Sequence, residues 1–260
     1  MAEVTIDGLR IAYDDVGDGP AVLFSHGFLM DRTMFEAQVS VLKDRFRCIT
    51  WDQRGFGETG PVRRPYNYWD SARDALALLD HLGIASAVWV GLSQGGFLSM
   101  RAALLAPDRV DALVLMSTKA GIDTDEVVNE FSGLGAEWAV NGSANVQDDV
   151  AAKLVGDGGD VRTWKAKWAA MGTDGLAASI DALVHRDDIT SRLVEISCPS
   201  LVLHGDADIA IDIREGEALA SGLPGTTTFV RVAGAGHAPP LTHPDQTTAH
   251  LAAFLSDVLS

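Results

Sequence analysis

Apolar and polar positions alternate over residues 4–6 and 9–13, with Asp7-Gly8 between the two stretches. This spacing predicts a β-hairpin with one face open to water, turning on the Asp-Gly pair. Further along, residues 21–24, 48–51, 87–90 and 112–116 form short, nearly unbroken apolar runs, as expected of strands buried on both faces of a parallel sheet. Between the runs the period lengthens. Trp69, Ala72, Leu76, Leu79 and Leu82 share one stripe of a helix over 68–82 that stops at Gly83. Phe97, Met100, Ala103 and Leu104 follow the same rule in a helix that begins near Gln94 and ends before Pro107.

After Thr118 the rhythm changes, and up to Ser197 no segment is strongly strand-like. Asp160 is placed to cap a helix carrying Val161, Trp164, Trp168 and Met171 and ending at Gly172. Residues 176–183 read as another helix. A stretch of about eighty residues is too long for a loop in a compact domain, so 118–198 reads as a helical insertion. Alternation resumes after Pro199 with a strand at 201–203, a helix at 215–220, a strand at 227–232 and a final helix carrying Leu251, Phe254, Leu255 and Val258. Strands alternating with helices predict a mostly parallel twisted sheet flanked by helices. The domain organisation expected is a core of 1–117 and 199–260, interrupted by the insertion at 118–198. Ligands on such sheets bind at the carboxyl ends of the strands.

Composition narrows the function. The 260 residues are 47% hydrophobic and 22% charged, with a net charge of −16. Such a surface repels phosphate backbones and anionic lipid, which argues against nucleic-acid and membrane partners. The first residues lack a basic n-region and an apolar h-region, and no apolar run reaches bilayer length, so a cytoplasmic protein is expected. Cys48 and Cys198 stand far from C-x-x-C or zinc spacing and flank core strands; reduced packing residues are expected, with no metal site.

The chemistry enters at Gly91-Leu92-Ser93-Gln94-Gly95, directly after the apolar run 87–90. A serine between glycines at a strand-to-helix turn presents its hydroxyl on a strained backbone. A serine hydroxyl needs a base, and the base needs a carboxylate to fix its tautomer. Asp208 follows the strand at 201–203, and His237 follows the strand at 227–232. The order Ser93, Asp208, His237 is the one this architecture uses. Asp206 and Asp212 lie on the same loop as Asp208, and one of them is expected to tie or cap the turn. His237 sits in Gly234-Ala235-Gly236-His237, where the glycines let an imidazole project into a cleft. The oxyanion donors expected are the backbone N–H of Gln94 and, from Ser25-His26-Gly27-Phe28, that of Phe28. His26 is expected to hold the loop shape.

The segments His26-Gly27-Phe28, Asp52-Gln53-Arg54-Gly55-Phe56-Gly57, Gly91-Leu92-Ser93-Gln94-Gly95-Gly96, Gly205-Asp206-Ala207-Asp208 and Gly236-His237 resemble those of α/β-hydrolase-fold enzymes. The resemblance spans nearly the whole chain. In length and motif style it is similar to small serine esterases and lactonases, particularly 3-oxoadipate enol-lactonase-like proteins. It implies that the helical insertion is a cap over the pocket, and that Asp52 and Arg54 support the site without reacting. The chain departs from the family at Ile211-Asp212, where a proline often follows the acid, and at Thr242, where a glutamate often follows the histidine.

The expected reaction is hydrolysis of a small-molecule carboxylic ester or lactone through an acyl-enzyme on Ser93, with no cofactor. Perhydrolysis of the cofactor-free haloperoxidase type and carbon–carbon bond hydrolysis are alternatives on the same triad. A non-catalytic small-ligand receptor is a remote one. Trp138, Trp164, Trp168, Phe131 and Met171 are candidates for an apolar substrate pocket in the insertion. Lys119, Arg162, Lys165, Lys167, Arg186 and Arg192 are its candidate cations, any one of which could face inward.

Overall fold

The computed structural model describes residues 1–259. Its strands are β1 (Ala2–Ile6), β2 (Leu9–Val16), β3 (Ala21–Ser25), β4 (Arg47–Trp51), β5 (Ala87–Leu92), β6 (Val110–Met116), β7 (Ser200–Gly205) and β8 (Thr227–Val232). They form one sheet in the order β1-β2-β4-β3-β5-β6-β7-β8. β1 pairs with β2 and β2 with β4 in antiparallel fashion; the remaining neighbours are parallel. The chain moves outward from β3 to β4, then crosses back to lay β5 on the other side of β3. The strand order therefore reverses between β3 and β5, and the loops leaving these two strands diverge to open a crevice.

The unbroken apolar runs have the burial they predict. β5 and β7 are buried at every position, whereas the edge strand β1 is mostly exposed. Asp7 and Gly8 both take positive φ, 49° and 81°, between Ile6 and its partner Leu9. That is the tight turn whose twist suits a hairpin. Trp51 and Trp89 are fully buried. Each satisfies its indole N–H, Trp51 on Ser25 Oγ at 3.0 Å and Trp89 on the Arg109 carbonyl at 3.1 Å.

Helices α1 (Glu36–Leu42), α2 (Tyr68–His81) and α3 (Gln94–Leu105) follow β3, β4 and β5. α2 starts on a reciprocal cap: the Asn67 side chain accepts from the N–H groups of Trp69 and Asp70, and Asp70 accepts from the Asn67 N–H. Between β6 and β7 come α4 (Asp125–Asn141), α5 (Gln147–Val150), α6 (Val161–Ala170) and α7 (Ala177–Val184). After β7 the chain completes α8 (Ile213–Gly222), α9 (Pro239–Thr242) and α10 (Pro244–Val258). α6 begins at Asp160, whose carboxylate accepts from the Thr163 N–H at 3.2 Å.

The 17-residue α4 is absent from the sequence reading. Gly133 and Gly135 in its middle weaken the helical signal. At Gly135 the reason for a small residue is tertiary, since an added Cβ would come within 3.1 Å of Ile180 in α7. The inserted helices contact the loop after β3, with Trp168 donating to the Leu29 carbonyl at 2.6 Å and Lys167 pairing with Asp31 at 2.7 Å.

Both cysteines are free. Burial pushes the Cys48 thiol up to about 12 and that of Cys198 up to about 11, so neither offers a thiolate at neutral pH. Among the described residues no helix is long and apolar enough to cross a membrane.

Candidate active site

Ser93 joins β5 to α3 with φ 53° and ψ −114°. A non-glycine residue at positive φ is strained, and the strain survives only where the surroundings enforce it. They do so here by close approach. A Cβ on Gly91 would lie 2.3 Å from the Gly95 carbonyl, and one on Gly95 would lie 2.0 Å from the Ser25 carbonyl oxygen. The Ser93 backbone is pinned from both sides: its N–H donates to the Met116 carbonyl at 2.9 Å, and its carbonyl accepts from Thr118 Oγ1 at 2.8 Å. Ser93 occupies the N-cap position of α3, yet its side chain makes no capping hydrogen bond. The hydroxyl is thus not spent on starting the helix.

His237 lies on the loop between β8 and α9. Its Nδ1 is 2.9 Å from Asp208 Oδ2 and 3.2 Å from Oδ1. Asp208 also accepts the N–H groups of Ala210 at 2.8 Å and Ile211 at 3.0 Å on Oδ1. His204 Nε2 lies 3.2 Å from Oδ2. Burial opposes ionisation of Asp208. The charge of His237, the hydrogen bonds from His204 and His237 and the Ile211 N–H outweigh it, and hold the carboxyl well below the usual carboxylate range. The other two acids have separate duties. Asp206 accepts the Gly234 N–H at 2.7 Å, tying the histidine loop to the end of β7, and Asp212 caps α8.

His204 is the member of this cluster that the sequence reading treated as part of a strand end. Its Nε2 is 2.9 Å from the Ile211 carbonyl, which can only accept, so Nε2 carries the proton that also faces Asp208. The i, i+4 spacing of His204 and Asp208 at the end of a strand was the available signal.

His26 occupies the position expected of it. Its Nε2 accepts the Gln53 N–H at 2.9 Å while Nδ1 donates to the Gly27 carbonyl at 2.8 Å. Burial lowers its affinity for a second proton, which suits a ring that must both donate and accept. Asp52 braces the same region by accepting from the Arg32 N–H at 2.7 Å and from Arg32 Nη1 at 2.6 Å. Arg54 is engaged by Asp74 at 2.5 and 2.6 Å. This framework shapes the loop bearing Phe28. Gln94 is the first residue of α3, where N–H groups lack intrahelical acceptors. Among the described residues neither Phe28 nor Gln94 donates to a backbone carbonyl in the loops and caps.

Ser93, His237 and Phe28 line one cavity of about 30 Å³. No hydrogen bond joins the Ser93 hydroxyl to the imidazole; both residues line the same cavity. Of the five apolar residues expected in the pocket, Phe131 lines this cavity, its ring edge-on to Phe28 at 5.7 Å. The other four do not. Trp138 is buried within the inserted helices, its indole N–H on the Gly172 carbonyl. Trp164, Trp168 and Met171 line a separate cleft against residues 29–33. Their spacing puts them on one face of α6, and that face packs on the loop after β3. The walls the sequence reading missed include Ala210 and Ile211, two and three residues after Asp208, and Val127, Leu154 and Leu183 from the insertion. Asp123, also in the wall, takes both inward cations, Lys119 at 2.7 Å and Arg186 at 2.5 Å. Lys165, Lys167 and Arg192 are paired with Asp148, Asp31 and Glu195.

Residues 20–244 match the family described as alpha/beta hydrolase fold. The chain is 26% identical to 3-oxoadipate enol-lactonase 2 of Acinetobacter baylyi, over 83% of this chain and 82% of that protein. It is 28% identical to the bifunctional esterase/perhydrolase of Acinetobacter calcoaceticus, over 96% and 98% of the two chains. Among solved structures it is similar to a thermophilic esterase from Thermogutta terrifontis, with a TM-score of 0.93, 30% identity and full coverage of both chains. The mostly parallel eight-stranded sheet, the reversal of strand order at β3 and β5 and the match across most of the sequence lead to one conclusion: the chain belongs to the alpha/beta hydrolase fold family.

Proposed function

We propose that this protein is a serine hydrolase that cleaves the carboxylic ester or lactone of a small molecule. The observation that carries the reading is the state of Ser93: strained at φ 53°, free of capping duty, and sharing a cavity with a histidine held 2.9 Å from a buried aspartate. Asp208 accepts from Nδ1–H of His237, which leaves Nε2 to act as base. His237 takes the proton of Ser93 as the hydroxyl attacks the carbonyl carbon. The N–H groups of Phe28 and Gln94 hold the oxyanion. His237 then protonates the departing alkoxide, and later activates the water that releases the acid. The inserted helices of 118–198 act as a cap that shields the acyl-enzyme and shapes the substrate's side of the cavity.

The names of the relatives fit this reading. Both an enol-lactonase and an esterase align over most of the chain. The second relative also carries perhydrolase in its name, and on the same triad hydrogen peroxide replaces water as the acceptor of the acyl group. Supplying acetate and hydrogen peroxide and measuring peracetate tests that second reading.

Ser93→Ala against p-nitrophenyl acetate tests the first. We expect kcat to fall by about 10⁴-fold or more, the loss typical of removing the nucleophile of such a triad. Retention of most of the activity by a folded Ser93→Ala protein contradicts the assignment.

A further inference from the structure

The Ser93 cavity is too small for any ester. At about 30 Å³ it accommodates roughly one or two water molecules. Two of its wall residues, Phe131 of α4 and Leu154, have a second cavity behind them. That cleft measures about 200 Å³ and lies between α4 and the segment 146–154. Its interior is apolar, lined by Leu134, Val146 and Val150 as well as Phe131 and Leu154. Glu130, Asp149 and Lys153 stand among the same walls.

From this adjacency we infer that the cleft is the binding site for an unbranched hydrocarbon chain of the ester or lactone, reached from Ser93 past the Phe131–Leu154 wall. The inference rests on the hydrolase reading above and names its substrate class. The wall consists of side chains. Phe131 is half-buried and held edge-on by Phe28, and Leu154 sits on a π-helical turn, Ala151–Val155, that ends at Gly156 with φ 76°. Such turns interrupt the regular helical ladder and recur at functional sites. The cover over Phe131 is an ion pair, Lys153 with Glu130 at 2.5 Å, with Lys153 Nζ 5.6 Å from the ring. Exposed pairs of this kind contribute little to stability, so the cover opens cheaply.

Size and polarity select the occupant. An apolar cavity of about 150 Å³ takes up a six-carbon ring, so 200 Å³ suits a chain of similar or slightly greater bulk. Lys153 is already engaged by Glu130, and the remaining Asp149 carboxylate, in a chain of net charge −16, disfavours a tail ending in a carboxylate. A neutral alkyl chain meets no such penalty.

Gly133 supplies the test. It lines the cleft from α4, and a Cβ added there meets nothing within 4 Å. Leucine is also the better helix former, so Gly133→Leu adds a bulky side chain at the cleft wall without threatening the fold. The measurement is kcat/KM for p-nitrophenyl octanoate, p-nitrophenyl acetate and octyl acetate, in the wild-type protein and in Gly133→Leu. The ratio of octanoate to acetate is expected to fall about tenfold, the effect of about two methylenes losing their burial. A fall for octyl acetate instead assigns the cleft to the alcohol side of the ester and equally supports the inference. Calorimetric binding of 1-octanol to both proteins gives a readout independent of hydrolysis, and Gly133→Leu is expected to weaken it by the same factor. Ratios and octanol binding unchanged within about twofold overturn the cleft assignment. If no ester is turned over by the wild-type protein but octanol binding still responds to Gly133→Leu, the hydrolase reading falls and the cleft stands.

Discussion

The loops at the ends of β3, β5, β7 and β8 and the helices inserted between β6 and β7 are built under different constraints. In the loops several groups have fixed partners. Ser93 is bonded to Met116 and Thr118, Asp206 ties down Gly234, and Asp208 gathers the N–H groups of Ala210 and Ile211 together with two histidines. A Cβ on Gly95 would collide with the backbone of β3. In the insertion the constraints are those of amphipathic packing, and at Gly133 a Cβ meets open space. The comparison teaches that the Ser93 turn is held by backbone geometry, which admits few residue types, whereas the cavity walls from the insertion are held by side-chain packing, which admits many.

The largest effect expected from breaking the loop side is on catalysis. Asp208→Asn keeps the shape but removes the acceptor that fixes the His237 tautomer, and kcat for p-nitrophenyl acetate is expected to fall by about 10⁴-fold. A loss below tenfold would transfer the orienting role elsewhere. Next comes stability. Gly95→Ala forces the Ser25 carbonyl to move, and urea denaturation is expected to show a loss of about 3 kcal/mol, at the upper end of overpacking costs. The matching change on the insertion side, Gly133→Ala, is expected to raise stability by about 1 kcal/mol, because alanine replaces glycine inside a helix with no steric cost. Effects of opposite sign at these two glycines sharpen the contrast; similar losses at both positions would erase it.

The smallest effect concerns pH. The Asp208 carboxyl is depressed in the folded protein, so its contribution to stability is complete above the unfolded value of about 3.9 and is lost only as pH falls through the lower, folded value. Asp208 therefore remains ionised through the range in which histidine titrates. The acid limb of log kcat/KM above about pH 5 is expected to carry no contribution from Asp208, and so a slope no steeper than one. A slope of two would show Asp208 titrating there as well.

The contrast between the two regions also explains what could be read from the chain. The sheet was legible because strands buried on both faces must be continuously apolar, as 87–90 and 201–203 are. The loop residues were legible because glycine at Gly91, Gly95 and Gly234 marks backbone that other residues cannot follow. His204 was hidden inside a strand signal, although its imidazole faces Asp208. In the insertion, the spacing of Trp164, Trp168 and Met171 specified one helical face correctly but not what that face touches. It packs on residues 29–33, and the Ser93 cavity is lined instead by Phe131, Leu154 and Leu183. Helical period fixes a face; the partner of that face depends on where the chain crosses next. α4 escaped because its two central glycines weaken the local signal, while the reason for one of them, Ile180, lies about 45 residues away.

The central claim is that Ser93 is a nucleophile activated by His237 and Asp208. Its most direct test is reaction with a fluorophosphonate, followed by peptide mass analysis. The account predicts one equivalent of label, on the peptide containing Ser93, with ester hydrolysis lost in proportion and labelling slowed at least about 10³-fold in His237→Ala. Label on a different serine, or hydrolysis that continues after Ser93 is fully modified, would contradict it.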